Sequence, residues 1–160
     1  MKNLHLTVAA IIEDQGRFLF VEEHSGGKLV INQPAGHVEA GETLPYAVSR
    51  ETLEETAWRF TPESLVGIYL WQHPLNDEYF LRAAFTGSHY ALDPALALDT
   101  GIERTLWLTP AELQKRHQQL RSPMVMRGIE DYLAGSRYDL NMLKHINNEE
   151  LIVKAAKIAN

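Results

Sequence analysis

Apolar and β-branched residues are concentrated in short runs along this chain, with glycine, proline, asparagine and aspartate between them. Runs of this kind are typical of β-strands bounded by turns. Six of them predict strands: 4–13, 17–23, 28–31, 65–72, 79–86 and 104–108. The first two runs are separated by Asp14-Gln15-Gly16, which predicts a hairpin, and a turn at Asn76-Asp77 joins the fourth and fifth.

Helix starts are marked by capping residues. Thr43 is a typical N-cap, Pro45 is tolerated in the first turn after it, and the helix is predicted to end near Ala57. Further helices are predicted to start at Thr109-Pro110, to run from Ser122-Pro123 to near Gly135, and to cover 148–158. Because strands and helices interleave without a strict β-α-β rhythm, we expect an α/β protein with a mixed β-sheet and helices on its faces.

Composition narrows the class of protein. A chain of 160 residues with 45% apolar and 22% charged residues is expected to form one domain with a substantial core. The absence of cysteine excludes disulfides, thiolate zinc sites and a cysteine nucleophile, and it agrees with a cytoplasmic location. The apolar run over 4–12 is too short to span a bilayer and precedes no cleavage site, so we read it as the first strand and expect no membrane association.

The net charge of −6, without a lysine or arginine cluster, also limits the possible partners. Proteins that grip a nucleic-acid backbone normally present a basic face, so a polymeric nucleic-acid partner is not expected. A small phosphorylated metabolite or nucleotide remains possible if cations mediate the contact. The chain is expected to act as a monomer or a small homo-oligomer.

Three glutamates lie on one face of the helix that starts at Thr43. At 3.6 residues per turn, Glu51, Glu54 and Glu55 project within an arc of about 100°. Like charges four residues apart repel, and the C-terminal half of a helix favours cations. A solvated acidic face is the simple interpretation, but it does not explain this unfavourable placement. A bound Mg²⁺, or Mn²⁺ in its place, would turn the repulsion into ligation because hard cations prefer several oxygen donors.

The spacing of this segment resembles the Nudix box. Six fixed positions match: Gly36, Glu42, Arg50, Glu51, Glu54 and Glu55. Two positions depart from the pattern. Thr52 stands where an apolar residue is usual, and its hydroxyl can bond to a carbonyl of the preceding turn. Ala57 stands where glycine usually ends the helix, so either alanine is left-handed, at a cost of roughly 1 kcal/mol, or the helix runs slightly further.

The resemblance implies an α/β/α sandwich in which the box forms a loop, a helix and a loop. It also implies that metal-activated water attacks a phosphate anhydride. Mg²⁺ would be held by Glu51, Glu54, Glu55 and the backbone carbonyl of Ala35. Glu42 and Arg50 would support the site, with Gly36 in the loop. The carboxylate that accepts the proton from water is left open between two residues, Glu51 and Glu103.

Further segments resemble one bacterial phosphatase subgroup of the family: 32–39, 121–123 and 135–140. With the box, the resemblance extends to about residue 143, so a hydrolase domain is expected over 1–143 and a helical extension over 144–160. The subgroup implies that the substrates are nucleoside di- and triphosphates and thiamine-pathway pyrophosphates, such as hydroxymethylpyrimidine pyrophosphate, with release of orthophosphate.

Four residues are candidates for contact with the substrate. Gln33 and His37 flank the metal loop, and Trp71 could stack on a base or pyrimidine ring unless it packs in the core. Arg121 could bind a phosphate bidentately or could only hold the loop before its helix. Pro74, sixteen residues after the box, supports a second possibility, an ADP-ribose pyrophosphatase.

Two other classes of function remain as alternatives. A non-catalytic Nudix-like module that senses a nucleotide would typically lack box glutamates, and all three are present here. An acidic helix that binds a basic protein partner would show no dependence on a divalent metal.

Overall fold

The computed structural model describes residues 3–147. Within this range the chain forms strands β1 (Leu4–Ile11), β2 (Glu13–Asp14), β3 (Arg17–Ser25), β4 (Lys28–Asn32), β5 (Ala35–His37), β6 (Arg59–Gln72), β7 (Tyr79–Tyr90), β8 (Ile102–Leu108) and β9 (Tyr138–Asp139). The helices are α1 (Leu44–Thr56), α2 (Pro110–Lys115) and α3 (Pro123–Leu133), with 3₁₀ turns at His117–Gln119 and Leu140–Met142.

The strands form two sheets rather than the single mixed sheet expected from the sequence. The first has the order β5-β1-β7-β6-β9, with β1 and β7 parallel and the other neighbours antiparallel. The second is antiparallel, with β3 pairing β2 and β4 along one edge and β8 along the other. The predicted α/β class is confirmed, with a mixed first sheet and helices packed on it.

The predicted hairpin between the first two runs is wrong in its extent. The turn after Asp14 joins only the short β2 to the start of β3, whereas β1 inserts between β5 and β7 in the other sheet. The cause is burial, since the residues from Val8 to Ile12 are at most 1% exposed. A strand buried on both faces belongs in the centre of a covered sheet.

The strands after the box helix are longer than the sequence predicts. β6 starts at Arg59 instead of residue 65, and β7 continues to Tyr90 instead of residue 86. The pairing of these strands shifts register between Pro62 and Ser64 and again between Leu65 and Gly67. Such bulges interrupt the alternation of apolar and polar residues by which strands are recognised in a sequence.

The core has two parts, one on each face of the first sheet. Ala9 and Ile11 of β1 belong to the cluster that includes Ile129 of α3. Val8 and Ala10 face the other way, into the cluster that includes the apolar side of α1. The alternating side chains of one strand therefore contribute to both halves of an α/β/α sandwich.

Both unusual residues of α1 have a local explanation. Thr43 caps the helix, because its side chain accepts a hydrogen bond from the amide of Tyr46. Thr52 is fully buried, and its hydroxyl donates to the carbonyl of Val48 at 2.7 Å, as expected for this position. Ala57 is left-handed, with φ 61°, and its amide donates to the carbonyl of Leu53. The helix therefore ends at Ala57 with an alanine in a conformation that favours glycine.

The C-terminal part of the described chain packs against the domain. Leu140 and Leu143 contact the core cluster on the α1 side. The helix predicted over 148–158 lies outside the described residues. No helix within residues 3–147 is long and apolar enough to cross a membrane.

We expect Ala57→Gly to stabilise the protein. Relief of the left-handed strain, about 1 kcal/mol, offsets the greater flexibility of glycine in the unfolded chain. The free energy of unfolding, measured with urea, should rise by a fraction of a kcal/mol. Ala134, at the end of α3, is the matched control because its φ of −71° is right-handed. Ala134→Gly should destabilise by about 0.5–1 kcal/mol, and equal effects of the two variants would contradict the argument.

Candidate active site

Carboxylates of α1 and of the loop before β8 converge at one place on the surface. One oxygen each of Glu51, Glu54 and Asp99 lies within 4.8 Å of the others, with Glu51 buried, Glu54 half-buried and Asp99 exposed. The amide of Asp99 donates to the carbonyl of Glu54 at 3.0 Å, which fixes the loop against the helix. Two of the three glutamates expected to bind metal are thus joined by an aspartate that the sequence did not single out.

Arg50 is the cation that holds the acidic residues together. Its Nη1 donates to Glu51 at 2.7 Å and to Glu54 at 3.0 Å. Its Nε and Nη2 donate to the two carboxylate oxygens of Glu42 at 2.6 and 2.9 Å, and these bonds lower the pKa of Glu42 to about 2. Nη2 also donates to the carbonyl of His37, so one guanidinium links α1 to the loop before it. The predicted pairing of Glu42 with Arg50 is present.

Gly36 leaves the space that Glu51 occupies. A Cβ atom at Gly36 would lie 2.1 Å from the carboxyl carbon of Glu51, so any side chain would displace that carboxylate. Burial is the main influence on Glu51 and raises its pKa, while the bond from Arg50 lowers it. The glycine of the loop therefore determines where the buried carboxylate of the cluster lies.

Glu55 is directed towards β5 rather than into the three-carboxylate cluster. Its Oε2 accepts a hydrogen bond from the amide of Ala35 at 2.9 Å. The side chain is buried, and burial raises its pKa to about 8, with repulsion from Glu23, Glu51 and Asp99 adding to the effect. Ala35 was expected to offer its carbonyl to the metal. In the structure its amide positions the carboxylate of Glu55.

The donor set fits a divalent cation. Glu51, Glu54 and Asp99 bring three carboxylates together. Among residues 3–147, one cation, Arg50, bonds to two of them as well as to Glu42. Negative charge therefore remains in excess, and hard cations such as Mg²⁺ favour several carboxylate oxygens at one point. The arrangement can hold a divalent metal.

Glu103 does not join the acidic cluster in this structure. It lies at the start of β8, and its Oε2 is 2.9 Å from Nε2 of His24, with both side chains more than half exposed. Asp99, in the loop before β8, joins the cluster instead. The segment that contains Asp99 is a long loop without a periodic pattern. The sequence therefore gives no reason to choose Asp99 over Glu103.

A pocket of about 180 Å³ is lined on one side by β5 (Ala35–His37). Three of the predicted substrate contacts line it: His37, Trp71 and Arg121. Gln33 does not, since it is 1% exposed and donates to the carbonyl of Val125. Gln33 instead accepts a hydrogen bond from Arg82, a buried residue of the pocket wall. The sequence does carry a signal for Arg82, because it is the one charged residue in the apolar run over 79–86.

Comparisons with known proteins agree with this site. The NUDIX domain family model matches residues 3–127. Phosphatase NudJ from Shigella sonnei (strain Ss046) and from Escherichia coli (strain K12) are each 38% identical to this chain over 143 residues, which are 89% of the chain and 92% of each relative. This is the phosphatase subgroup that the segments outside the box resemble.

Solved structures show the same relationship. A NUDIX hydrolase from Nitrosomonas europaea is 44% identical, with a TM-score of 0.88, covering 91% of this chain and 99% of that one. A MutT NUDIX hydrolase from Burkholderia pseudomallei, only 18% identical, covers 81% of this chain and 98% of its own with a TM-score of 0.69, and it shares the fold. The chain therefore belongs to the Nudix hydrolase family and is an enzyme that hydrolyses phosphate anhydrides.

Proposed function

We propose that this enzyme is a Mg²⁺-dependent phosphatase of nucleoside di- and triphosphates and of thiamine-pathway pyrophosphates, and that it releases orthophosphate. The observation that carries the proposal is the convergence of Glu51, Glu54 and Asp99 within 4.8 Å. The carboxylate of Glu51 lies against Gly36, which lines a pocket that contains arginine side chains. The similarity to phosphatase NudJ over 89% of the chain supports the choice of substrates.

Each acidic residue has a distinct part in the proposal. Glu51, Glu54 and Asp99 would hold the cation, and Glu55 with Ala35 would complete its surroundings. A bound divalent cation neutralises phosphoryl oxygens and lowers the pKa of water. Glu51 is our candidate to accept the proton of the attacking water, because its carboxylate is buried within the acidic cluster where a cation-bound water would lie.

We expect Glu54→Gln and Glu55→Gln each to reduce kcat at least about a hundredfold at saturating Mg²⁺, because each removes charge from the metal site. Orthophosphate release from nucleoside di- and triphosphates, hydroxymethylpyrimidine pyrophosphate and ADP-ribose would be measured with Mg²⁺ and with EDTA. Glu63→Gln, an exposed carboxylate of β6, serves as the control and should retain full activity. Activity in EDTA, or near-normal turnover of either variant, would contradict the proposal.

The roles of Asp99, in the loop before β8, and of Glu103, in β8 itself, can be distinguished directly. We expect Asp99→Asn to raise the Mg²⁺ concentration for half-maximal activity by about tenfold or more, since it removes one of the converging carboxylates. Glu103→Gln should change this concentration less than about twofold, because Glu103 pairs with His24. A larger effect of Glu103→Gln than of Asp99→Asn would contradict this assignment and would favour Glu103 as the metal ligand.

The stability of the metal-free enzyme should depend on the ionisation of Glu55. Its pKa is about 8 in the folded protein against 4.5 as the ordinary value, so the folded state binds the proton more tightly than the unfolded state. This contribution to stability is complete below about pH 4.5 and is lost as the pH rises towards 8. Glu51 and Asp99 face the same region and repel the ionised form.

In EDTA, the free energy of unfolding of the wild type should therefore fall between about pH 5 and pH 8. Glu55→Gln, which stays neutral, should show a smaller fall, and the remainder reflects Glu51, whose pKa is also raised. Mg²⁺ should restore stability to the wild type at the higher pH because it favours the ionised carboxylates. Parallel pH profiles for the two proteins would be inconsistent with a buried, protonated Glu55.

A further inference from the structure

Arg82 is a buried cation without a carboxylate partner. It is 6% exposed and lies on β7 opposite Tyr69 of β6. Its Nη1 donates to the side-chain oxygens of Asn32 and Gln33, each at 3.2 Å, whereas Nε is buried without a partner. No ion pair within 4.0 Å joins it to an acidic side chain of residues 3–147. Burial lowers the pKa of Arg82 to about 10, so it remains charged at neutral pH.

Ser122 is a second buried polar side chain that is left without a partner. It is 5% exposed, and its hydroxyl oxygen makes no hydrogen bond within the described structure. It occupies the N-cap position of α3, yet its side chain does not cap the helix. The positive end of an eleven-residue helix and a free hydroxyl are thus present together.

Both residues line the pocket of about 180 Å³ next to Gly36, and Arg121 lines it with them. One carboxylate, that of Glu23, is also in the wall; it accepts a bond from Asn32 and lies 3.9 Å from Arg121. Two guanidinium groups therefore face one carboxylate. Among the residues that line the pocket, positive charge is in excess; Glu55, which accepts from the amide of Ala35, also attracts Arg82. Nε of Arg82 and the hydroxyl of Ser122 have no partner within the described structure, and donors of this kind favour an anion.

Resting on the proposed function, we propose that this pocket binds the phosphate group that stays on the organic product, with Arg82, Arg121 and Ser122 as its donors. A pocket of about 180 Å³ is small for a whole nucleotide but sufficient for a phosphate. Arg82 then contacts substrate in addition to linking β7 to Asn32 and Gln33 at the end of β4.

The rest of the substrate has a place beyond this pocket. A groove of about 640 Å³ shares Trp71, His73, Arg121 and Ser122 with the pocket. The shared wall makes the two spaces neighbours, so a phosphate at Arg82 leaves its organic group beside Trp71. The substrates that fit are compounds with a phosphate chain and a flat ring, in the order acidic cluster, phosphate pocket, aromatic groove.

Inorganic phosphate is the probe for this site. Its affinity would be measured by calorimetry in EDTA for the wild type, Arg82→Met and Arg82→Lys. Arg82→Met should weaken phosphate binding about tenfold or more, since a charged hydrogen-bond donor is removed, and Arg82→Lys should weaken it less. The matched control is Arg59→Met, because Arg59 is exposed and pairs with Tyr90 at the other end of the β6–β7 ladder.

Kinetics on the Mg²⁺-loaded enzyme separate substrate binding from a structural role. Arg82→Met should raise KM about tenfold with a smaller fall in kcat, and Arg82→Lys should recover part of the loss. A purely structural role would lower the melting temperature without changing KM or phosphate affinity. If Arg82→Met binds phosphate as tightly as the wild type does, the proposal is overturned.

A measurement on the wild type guards against a variant that fails to fold. The Nε–Hε resonance of Arg82 should shift when phosphate is added in EDTA, and that of Arg59 should not. An unmoved Arg82 resonance at saturating phosphate would overturn the proposal. Because these titrations need no turnover, phosphate binding at Arg82 by a wild type that hydrolyses no anhydride would support the pocket and reject the proposed function.

Discussion

The contacts of Arg50 are the interaction on which the rest of the site depends. One guanidinium, largely buried, bonds to Glu42, Glu51 and Glu54 and to the carbonyl of His37. Without it the carboxylates would repel each other on a helix whose dipole also disfavours them. Because Arg50 reaches the segment before α1 as well as the helix itself, it fixes the geometry of the acidic face of α1 relative to Gly36 and Ala35.

Close contacts between β5 and the glutamates of α1 determine the shape of this acidic face. Gly36 leaves room for the carboxylate of Glu51, and the amide of Ala35 holds Glu55. The buried β1 pairs with β5, so the loop is attached directly to the centre of the first sheet. The left-handed Ala57 ends the helix and, through its carbonyl, accepts a hydrogen bond from Asp93 of the loop that carries Asp99. The left-handed Ala57 is thus bonded to the loop that brings Asp99 to the acidic cluster.

Charge separates the site into two regions. Carboxylates dominate the face of α1, whereas the adjoining pocket has Arg82, Arg121 and the start of α3. In the proposed binding mode, a phosphate chain placed across both regions would meet a bound cation on one side and guanidinium groups on the other. This division is consistent with phosphoryl transfer, in which charge neutralisation and positioning contribute more than covalent assistance.

The sequence alone determined the features that are local in the chain. The spacing of Glu51, Glu54 and Glu55 on one helix, the cap at Thr43 and the back-bonded hydroxyl of Thr52 depend on helical periodicity and on hydrogen bonds within one or two turns. The family, and with it the class of reaction, followed from the same spacing. The extent of β6 and β7 was underestimated because their bulges break the alternation that marks a strand.

Only the tertiary structure decided what depends on long-range pairing. It placed β1 in a different sheet from β3, because a strand buried on both faces needs neighbours on both sides. It placed Asp99 instead of Glu103 in the acidic cluster. The path of the loop before β8 determines the positions of these residues, and no periodic pattern in the sequence describes that path. It also buried Arg82 beside Ser122, from separate elements 40 residues apart in the sequence. Neighbours of this kind are determined by packing of the sheet against α3, and no local pattern records them.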